Sequence, residues 1–462
     1  MWSRLRETAL SYVKESKYGF KEVAKLLSEL KGREVLVLSH MDLDGVSSAA
    51  IFKVVMSSMG VKRCLFKFRP FVTKVEEVES WLKSYGNFDF LVILDKGTLK
   101  EHLNYSHLFK RVIVIDHHIP QDVNGYEEEN VTFLNPCIER EIKTSNTVLC
   151  RLISSIFNLD DVYLDFFTLL GMRCDYVFDP FDKEGDEFNK PLIELAKKEF
   201  AHMFKRLEVG EGEVTRYDRH GGNYTCLFNQ VSEALGAFCY ADNYIEVAGR
   251  EGDPVGSTLL FNALLEARER SFPIQKEWGS ASEFIAAFPY GELIRKVYRR
   301  YRAELKKAIS QVREFKQVGK LGKVTLYLVE TVNMPLATVA ASMLLPRLKR
   351  IRKDVECAVL VLRAFQEQVN ISFRSTGETI NGGLFMRELA NKIKEKLHVE
   401  TSGGGHRTAA ECQVFKGKEV LNEVKKVLTE VLRKLTAFYA MYRGGARDEE
   451  IVNTLKRYGL ID

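Results

Sequence analysis

Ile113-Val114-Ile115-Asp116-His117-His118 is the stretch from which the rest of the chain can be read. A run of β-branched residues passes without a turn into one carboxylate and two imidazoles. Such a run marks a strand buried on both faces of a parallel sheet, with polar groups delivered at its C-terminal end. Two other runs end alike. Val35-Leu36-Val37-Leu38 leads into Ser39-His40-Met41-Asp42-Leu43-Asp44-Gly45, and Leu91-Val92-Ile93-Leu94 into Asp95-Lys96-Gly97. Asp and His at the ends of three strands imply a metal site along one edge of the sheet.

The surrounding pattern fits an α/β fold. A strand at 64–68 joins those at 35–38, 90–94 and 111–115, and helical patterns at 46–50, 74–84 and 145–157 alternate with them. Residues 4–30 read as packing helices stopped at Gly32, and 160–174 as a helix leading into Asp175. From 183 to 290 the βα rhythm gives way to helical patterns at 190–207, 228–240, 258–268 and 281–289. Two glycine patches, Gly210-Glu211-Gly212 and Gly221-Gly222, interrupt them. Ile294, Val297, Tyr298, Tyr301, Leu305, Ile309, Val312 and Phe315 form a stripe that predicts one helix over 292–316. A helix of about 25 residues spans about 37 Å and could connect two lobes. Strands at 323–329, 356–362 and 368–374 with helices at 336–345, 383–397, 417–440 and 447–458 make a second α/β domain. The expected organisation is therefore an N-terminal parallel-sheet domain over 1–182, an inserted helical module over 183–290, a linking helix over 291–320 and a C-terminal α/β domain over 321–462.

At 462 residues the chain exceeds one ordinary domain. Its 45% apolar and 28% charged residues are those of a globular protein. No apolar run approaches the ~18 residues of a membrane span, and the start, Met1-Trp2-Ser3-Arg4, lacks a signal-peptide core. No membrane partner and a cytoplasmic location are expected. The eight cysteines form no Cys-x-x-Cys pair, which argues against a zinc ribbon and for buried thiols. Cys174, beside Asp175, is not counted among the ligands. Net charge is +5, but residues 291–320 alone carry ten Lys or Arg against three Glu. Arg347, Lys349, Arg350, Arg352 and Lys353 form a second cluster. Such patches suit an acidic polymer as partner.

In His40-x-Asp42-x-Asp44-Gly45, alternate residues of an extended loop point the same way and converge three ligating groups. A capped helix start is the competing account of the two aspartates. Histidine with carboxylates and no thiolate favours Mn²⁺, Mg²⁺ or a related divalent ion. His40, Asp42, Asp44, Asp95, His117 and Asp175 suffice for two ions sharing one carboxylate, which together activate a water and stabilise a phosphoryl oxygen. A second constellation is Gly403-Gly404-Gly405-His406, read as a turn whose backbone N–H groups approach an anion. Arg374, flanked by Ser372 and Ser375, is a further phosphate candidate.

These motifs, in this order, resemble those of the DHH–DHHA1 phosphoesterase superfamily, and within it the archaeal RecJ-like nucleases of the helicase-associated and GINS-associated branches. The resemblance covers most of the chain except 183–290. It implies a bilobed exonuclease on single-stranded DNA, or RNA, with the strand running between the lobes, a 3′→5′ lean, and a repair helicase or the GINS replication complex as partner. Two Mn²⁺ ions (or Mg²⁺) would be held by His40, Asp42, Asp44, Asp95, His117 and Asp175, with Asp95 bridging. Asp116 would orient the neighbouring ligand and His118 would face the scissile phosphate, both counted with Asp44 as catalytic. Arg374, Ser372, Ser375, Gly403, Gly404, Gly405 and His406 would hold the terminal nucleotide. The chain departs from the family at His40, where many bacterial RecJ proteins carry Asp, and at Glu411, where Gly is usual. It also lacks an obvious counterpart of the bacterial enzyme's OB-type domain. Two rivals remain: a 5′→3′ or short-oligonucleotide enzyme, and the Cdc45 branch, a scaffold marked by eroded Asp and His positions, all six of which stand here.

Overall fold

The computed structural model describes residues 2–70, 73–98, 100–120, 129–138, 141–181, 188–208, 224–244, 254–312 and 314–461. Both glycine patches of the helical stretch lie outside the described residues. The chain divides into two compact units, Met1–Val209 with Tyr224–Tyr301, and Gly210–Asn223 with Arg302–Asp462.

The first unit opens with helices α1 (Trp2–Lys14) and α2 (Phe20–Ser28) and then alternates: β1 (Glu34–His40), α3 (Leu43–Ser58), β2 (Arg63–Arg69), α4 (Val75–Tyr85), β3 (Phe90–Leu94), β4 (Arg111–Ile115), β5 (Val131–Leu134), α5 (Asn146–Ile156) and α6 (Val162–Cys174). The strands form a parallel sheet in the order β2-β1-β3-β4-β5. In-register pairing, with Val37 opposite both Phe66 and Val92, brings all C-terminal ends to one edge. On one face, Leu36, Leu38, Leu91, Ile93, Val112 and Val114 pack with Val78 and Trp81 of α4. On the other lies α3, whose run Val46-Ser47-Ser48-Ala49-Ala50-Ile51-Phe52 is wholly buried between the sheet and α5, α6 and α9. A helix apolar or small all round is a core helix.

The stretch after Asp175 holds α7 (Lys190–Glu199), the short pair β6 (Leu207–Glu208) and β7 (Tyr224–Thr225), α8 (Leu227–Phe238), α9 (Val255–Glu269), α10 (Ala281–Ala287) and α11 (Gly291–Gln311). Its helices build onto the sheet domain. Phe261 of α9 meets Phe66 of β2 at 4.6 Å between ring centroids, and Ser257 Oγ donates to the Met41 carbonyl at 2.6 Å.

The second unit comprises β8 (Lys316–Leu321), β9 (Val324–Val332), α12 (Ala337–Arg352), β10 (Glu356–Ala364), β11 (Val369–Ser375), α13 (Gly382–Leu397), β12 (Thr401–Gly405), β13 (Ala409–Val414), α14 (Leu421–Arg443) and α15 (Glu449–Arg457). Its mixed sheet runs β12-β13-β11-β10-β9-β8, parallel only between β9 and β10. Helices α13, α14 and α15 bury one face in a core that includes Leu360, Ile371, Phe373, Phe385, Leu389 and Leu428, and α12 lies against β10 and β11. The expected fold class, a parallel sheet, a helical stretch and a C-terminal α/β domain, is the one observed.

Three local expectations are corrected. The glycine run 403–405 is a strand rather than a turn: Gly403, Gly404 and Gly405 pair with Cys412, Glu411 and Ala410. Glycine has little strand propensity, and tertiary pairing overrides it. The helix expected over 292–316 stops at Gln311, because Lys316–Leu321 pairs with β9. The helix expected to end before Pro346 runs through it to Arg352. Among the described residues, no helix is long and apolar enough to cross a membrane.

Candidate metal centre

The site grows out of three strand ends. After β1 the chain turns into α3, where Asp42 is the N-cap and accepts the Gly45 N–H at 3.0 Å. The capped helix start is therefore real, and it does not exclude ligation: the same Asp42 Oδ1 lies 3.1 Å from His40 Nδ1. Gly45 is required, since a Cβ there would meet the His40 carbonyl oxygen at 2.3 Å. Asp44, in the first turn of α3, is fully buried and caps a second helix. Its Oδ2 accepts from Asn146 N at 2.7 Å and its Oδ1 from Thr147 N at 3.0 Å. The open N–H groups at a helix start favour an anion there.

Asp95, at the end of β3, sits at φ 58, the left-handed region that costs a non-glycine residue roughly 1–3 kcal/mol and persists only where the surroundings enforce it. Its N–H donates to the Ile115 carbonyl at 3.0 Å. The two oxygens of its carboxylate serve different neighbours: Oδ1 is 3.1 Å from His117 Nε2, and Oδ2 is 3.6 Å from His40 Nδ1.

His117, at the end of β4, has its tautomer set by the backbone. Nδ1 lies 2.7 Å from the Thr144 carbonyl, which only accepts, so Nδ1 carries the proton. Nε2 then turns a lone pair toward three carboxylates, Asp95 at 3.1 Å, Asp175 at 3.2 Å and Asp44 at 3.5 Å. A lone pair facing three anions at full burial demands a positive centre between them, either a second proton or a cation. The next residue behaves differently. His118 Nδ1 lies 2.8 Å from Asp116 Oδ1, which also accepts both backbone N–H groups of His117 (2.8 Å) and His118 (3.2 Å). Asp116, expected to orient the neighbouring ligand, takes the His117 backbone N–H and anchors the His118 ring, while the Thr144 carbonyl holds the His117 ring.

Electrostatics reflect the same crowding. Burial by itself would lower the His40 and His117 imidazoles; for His40 the carboxylates of Asp42 and Asp95 prevail, for His117 those of Asp95 and Asp44. His40 is pushed up to about 10 and His117 to about 9. Burial and then the Asp95 charge raise Asp44 to about 6, and burial with Asp44 and Asp95 raises Asp175 well above its ordinary value. Against burial, His40 holds Asp42 low and His118 holds Asp116 low. Asp175 Oδ2 is shut off from solvent and faces His117 Nε2 at 3.2 Å. Ligating atoms of Asp44, His117 and Asp175 lie within 4.8 Å of one another, as do those of His40, Asp42 and Asp95. Oxygen and imidazole donors of this kind fit hard or borderline divalent ions.

All six residues expected to ligate are thereby brought together. Two contributors went unread in the sequence. Gly171 lets α6 reach the site, for a Cβ there would meet Asp44 Oδ1 at 2.1 Å and Thr147 Oγ1 at 2.3 Å. A glycine inside a helical pattern was the available signal. Thr144 acts through its carbonyl, so its side chain gave none.

In the second unit, Arg374, Gly405 and His406 share one corner. Arg374 Nη1 donates to Phe373 O at 2.7 Å and Ala410 O at 3.3 Å, and Ala410 pairs with Gly405. The α13 start joins them, with Gly382 N donating to Arg407 O at 2.8 Å. The glycines make this approach feasible: a Cβ on Gly383 would meet Gly405 O at 2.3 Å, and one on Gly403 the Met386 carbonyl at 2.4 Å. A Cβ on Gly404 would meet nothing within 4 Å. The flanking serines are elsewhere. Ser372 is fully buried, and its hydroxyl joins Thr338, Arg363 and Glu411. Ser375 lies by Glu356 and the Cys357 carbonyl, both at 3.4 Å. Glu411, the departure from the family pattern, meets Arg363 through both carboxylate oxygens at 3.0 and 3.1 Å.

Comparison with known proteins places this geometry. Residues 34–169 match the DHH family, N-terminal domain, and residues 323–434 the DHHA1 domain. No curated protein matches the chain. Among solved structures, the DHH domain of a protein described as a member of a ribosomal-protein family is 15% identical over 93% of this chain and 92% of that one, with a TM-score of 0.57. RecJ from Thermus thermophilus, solved with Mn²⁺, is 16% identical over 90% of this chain with a TM-score of 0.53. The present chain spans only 55% of that RecJ. Cdc45 from Entamoeba histolytica is 12% identical over 89% of this chain and 98% of that one, with a TM-score of 0.47. With both domains matched in order and a buried Asp/His cluster inside the first, the chain belongs to the DHH–DHHA1 superfamily and carries its phosphoesterase fold.

Proposed function

We propose that this protein is a metal-dependent exonuclease that hydrolyses phosphodiester bonds from the end of single-stranded DNA, in the 3′→5′ direction, in repair or replication. One observation carries the catalytic part: the Asp95 carboxylate turns one oxygen to the His117 set (3.1 Å) and the other to the His40 set (3.6 Å). A carboxylate so placed would serve two ions, Mn²⁺ by preference with Mg²⁺ as substitute. His40 and Asp42 would hold one ion, Asp44, His117 and Asp175 the other. Divalent ions bound there would supply a nucleophilic water and neutralise charge on the phosphoryl oxygens.

The chain's own groups do the rest. Thr144 keeps the His117 proton on Nδ1, so Nε2 is the atom that would hold an ion. Asp116 anchors His118 through Nδ1, leaving Nε2 as the atom to meet a phosphoryl oxygen. In the second unit, Arg374, the Gly403–Gly405 backbone and His406 would hold the terminal phosphate; Ser372 and Ser375 would act through the sheet that carries Arg374. The lysine- and arginine-rich stretch 291–320 suits the polyanion. Polarity, the preference for DNA and a helicase or GINS partner rest on the resemblance to archaeal RecJ-like proteins; the domain limits at 182, 290 and 320 rest on the pattern of helices and strands in the sequence, and a cytoplasmic location on its apolar pattern.

The test uses single strands of DNA or RNA, labelled at either end, with Mn²⁺ or Mg²⁺. Native protein, Asp44→Asn and His117→Ala are compared, with circular dichroism to confirm folding. Shortening of long DNA from its 3′ end, lost in both folded variants, is expected. Shortening from the 5′ end, or of RNA or two- to five-mers alone, selects the corresponding rival. Undiminished cleavage in either variant removes the proposed centre.

A further inference from the structure

Cys174 closes α6 one residue before Asp175. Its Sγ, a carboxylate oxygen of Asp42 and one of Asp175 all lie within 4.8 Å of one another. Asp42 belongs to the His40 set and Asp175 to the His117 set, so the thiol stands where the two sets meet. Asp175 Oδ2 is shut off from solvent and faces His117 Nε2 at 3.2 Å, so the trio adjoins the imidazole of the second set. Donors sharing one tetrahedral ion lie roughly 3.6 Å apart, given metal–sulfur bonds of about 2.3 Å and metal–oxygen bonds of about 2.1 Å. Drawing the trio to that spacing takes side-chain movement of at most about 1 Å.

We infer that Cys174 is a sulfur ligand of this metal centre, and that it gives the site a higher affinity for the borderline and soft divalent ions Co²⁺, Zn²⁺ and Cd²⁺ than its nitrogen and oxygen donors provide alone. The inference rests on the metal centre proposed above. In the binding step the sulfur–proton bond breaks, the proton passes to solvent, and a sulfur–metal bond forms without change of oxidation state. Thiolate selects softer ions, whereas carboxylate and imidazole accept Mn²⁺ and Mg²⁺ equally well without it. A soft ion therefore competes with the hard ions for the same carboxylates, with Cys174 deciding the contest. Among the other cysteines, Cys64 is partly buried with its Sγ 3.7 Å from Met56 Sδ, and the remaining six are buried.

The experiment titrates the metal-free, full-length protein with Co²⁺ and records its absorption. Visible ligand-field bands report binding by any donors; a near-ultraviolet sulfur-to-cobalt charge-transfer band reports the thiolate. Native protein is expected to show both, and Cys174→Ser only the first. Zn²⁺ affinity should fall about tenfold or more in Cys174→Ser while Mn²⁺ affinity changes by less than about threefold. Ligand-field bands without a charge-transfer band in native protein would overturn the sulfur ligand and leave the metal centre standing. Absence of both bands would overturn the centre and the inference with it. A charge-transfer band that survives in Cys174→Ser and Cys174→Ala would assign it to another cysteine and overturn the inference.

Discussion

The strand-end centre of the first unit and the glycine corner of the second solve opposite problems. The first concentrates charge: Asp44, Asp95 and His117 are nearly or wholly buried, and the two carboxylates lie 3.5 and 3.1 Å from the imidazole. Every member is held by something outside the cluster: a helix start for Asp44, a carbonyl for His117, an enforced left-handed backbone for Asp95. The second works by subtraction. Gly383, Gly403 and Gly405 remove side chains so that a helix start can touch a strand end beside Arg374 and His406. One region depends on what its side chains carry, the other on what they lack. Substitutions should therefore fail differently in the two.

The largest expected effect is at His117. His117→Ala should reduce turnover on the order of 10³-fold with folding retained, measured by single-turnover cleavage; a loss below tenfold would make the first region no more critical than the second. Next comes Gly171→Ala, which forces a methyl group onto Asp44 Oδ1 at 2.1 Å. It should cost roughly 1–3 kcal/mol of stability and weaken metal binding, read by thermal melts with and without metal. Arg374→Ala should raise KM about tenfold and alter kcat less, as suits an anchoring cation; the reverse split would move Arg374 into the chemistry. Ser372→Ala should cost only ~1 kcal/mol, seen in denaturant melts, and leave KM alone, because its hydroxyl is spent on Arg363 and Glu411 inside the sheet.

The smallest effect is one of pH on the metal-free protein. His40 and His117 have folded values raised to about 10 and about 9, so they stabilise below their ordinary value of 6.5, and that contribution disappears as pH climbs through 9 to 10. Asp44, raised to about 6, adds stability at low pH that is lost through 6. Asp42 and Asp116, both lowered, contribute equally at pH 6 and pH 9. Melts in chelator should therefore show a more stable protein at pH 6 than at pH 9, and bound metal should shrink the difference. The same melts after Gly171→Ala would tell whether its cost lies in packing or in charge.

How much of this was legible differs between the regions as well. Ligand positions in the first unit were readable because a parallel strand buried on both faces must be apolar throughout, so that Asp95 and Asp116-His117-His118 announce its end. The glycine run was readable as an anion-friendly motif but not as a strand, since nothing in Thr401–Gly405 itself prefers extended pairing; β13 imposes it. β5 and β8 were overlooked for a related reason. β8 is polar and largely exposed, and Val131–Leu134 is only four residues long.

Periodicity and residue type alone determined that this chain is α/β, that three strands end in ligands, and that six side chains far apart in sequence belong together. Only the tertiary structure decided which imidazole nitrogen faces the carboxylates, which histidine Asp116 holds, that Ser372 is buried, and that Cys174 joins the cluster. Those facts depend on contacts between segments tens of residues apart, such as Thr144 with His117 and Gly171 with Asp44. Local sequence governs what a residue can donate or accept; only packing determines what stands within reach of it.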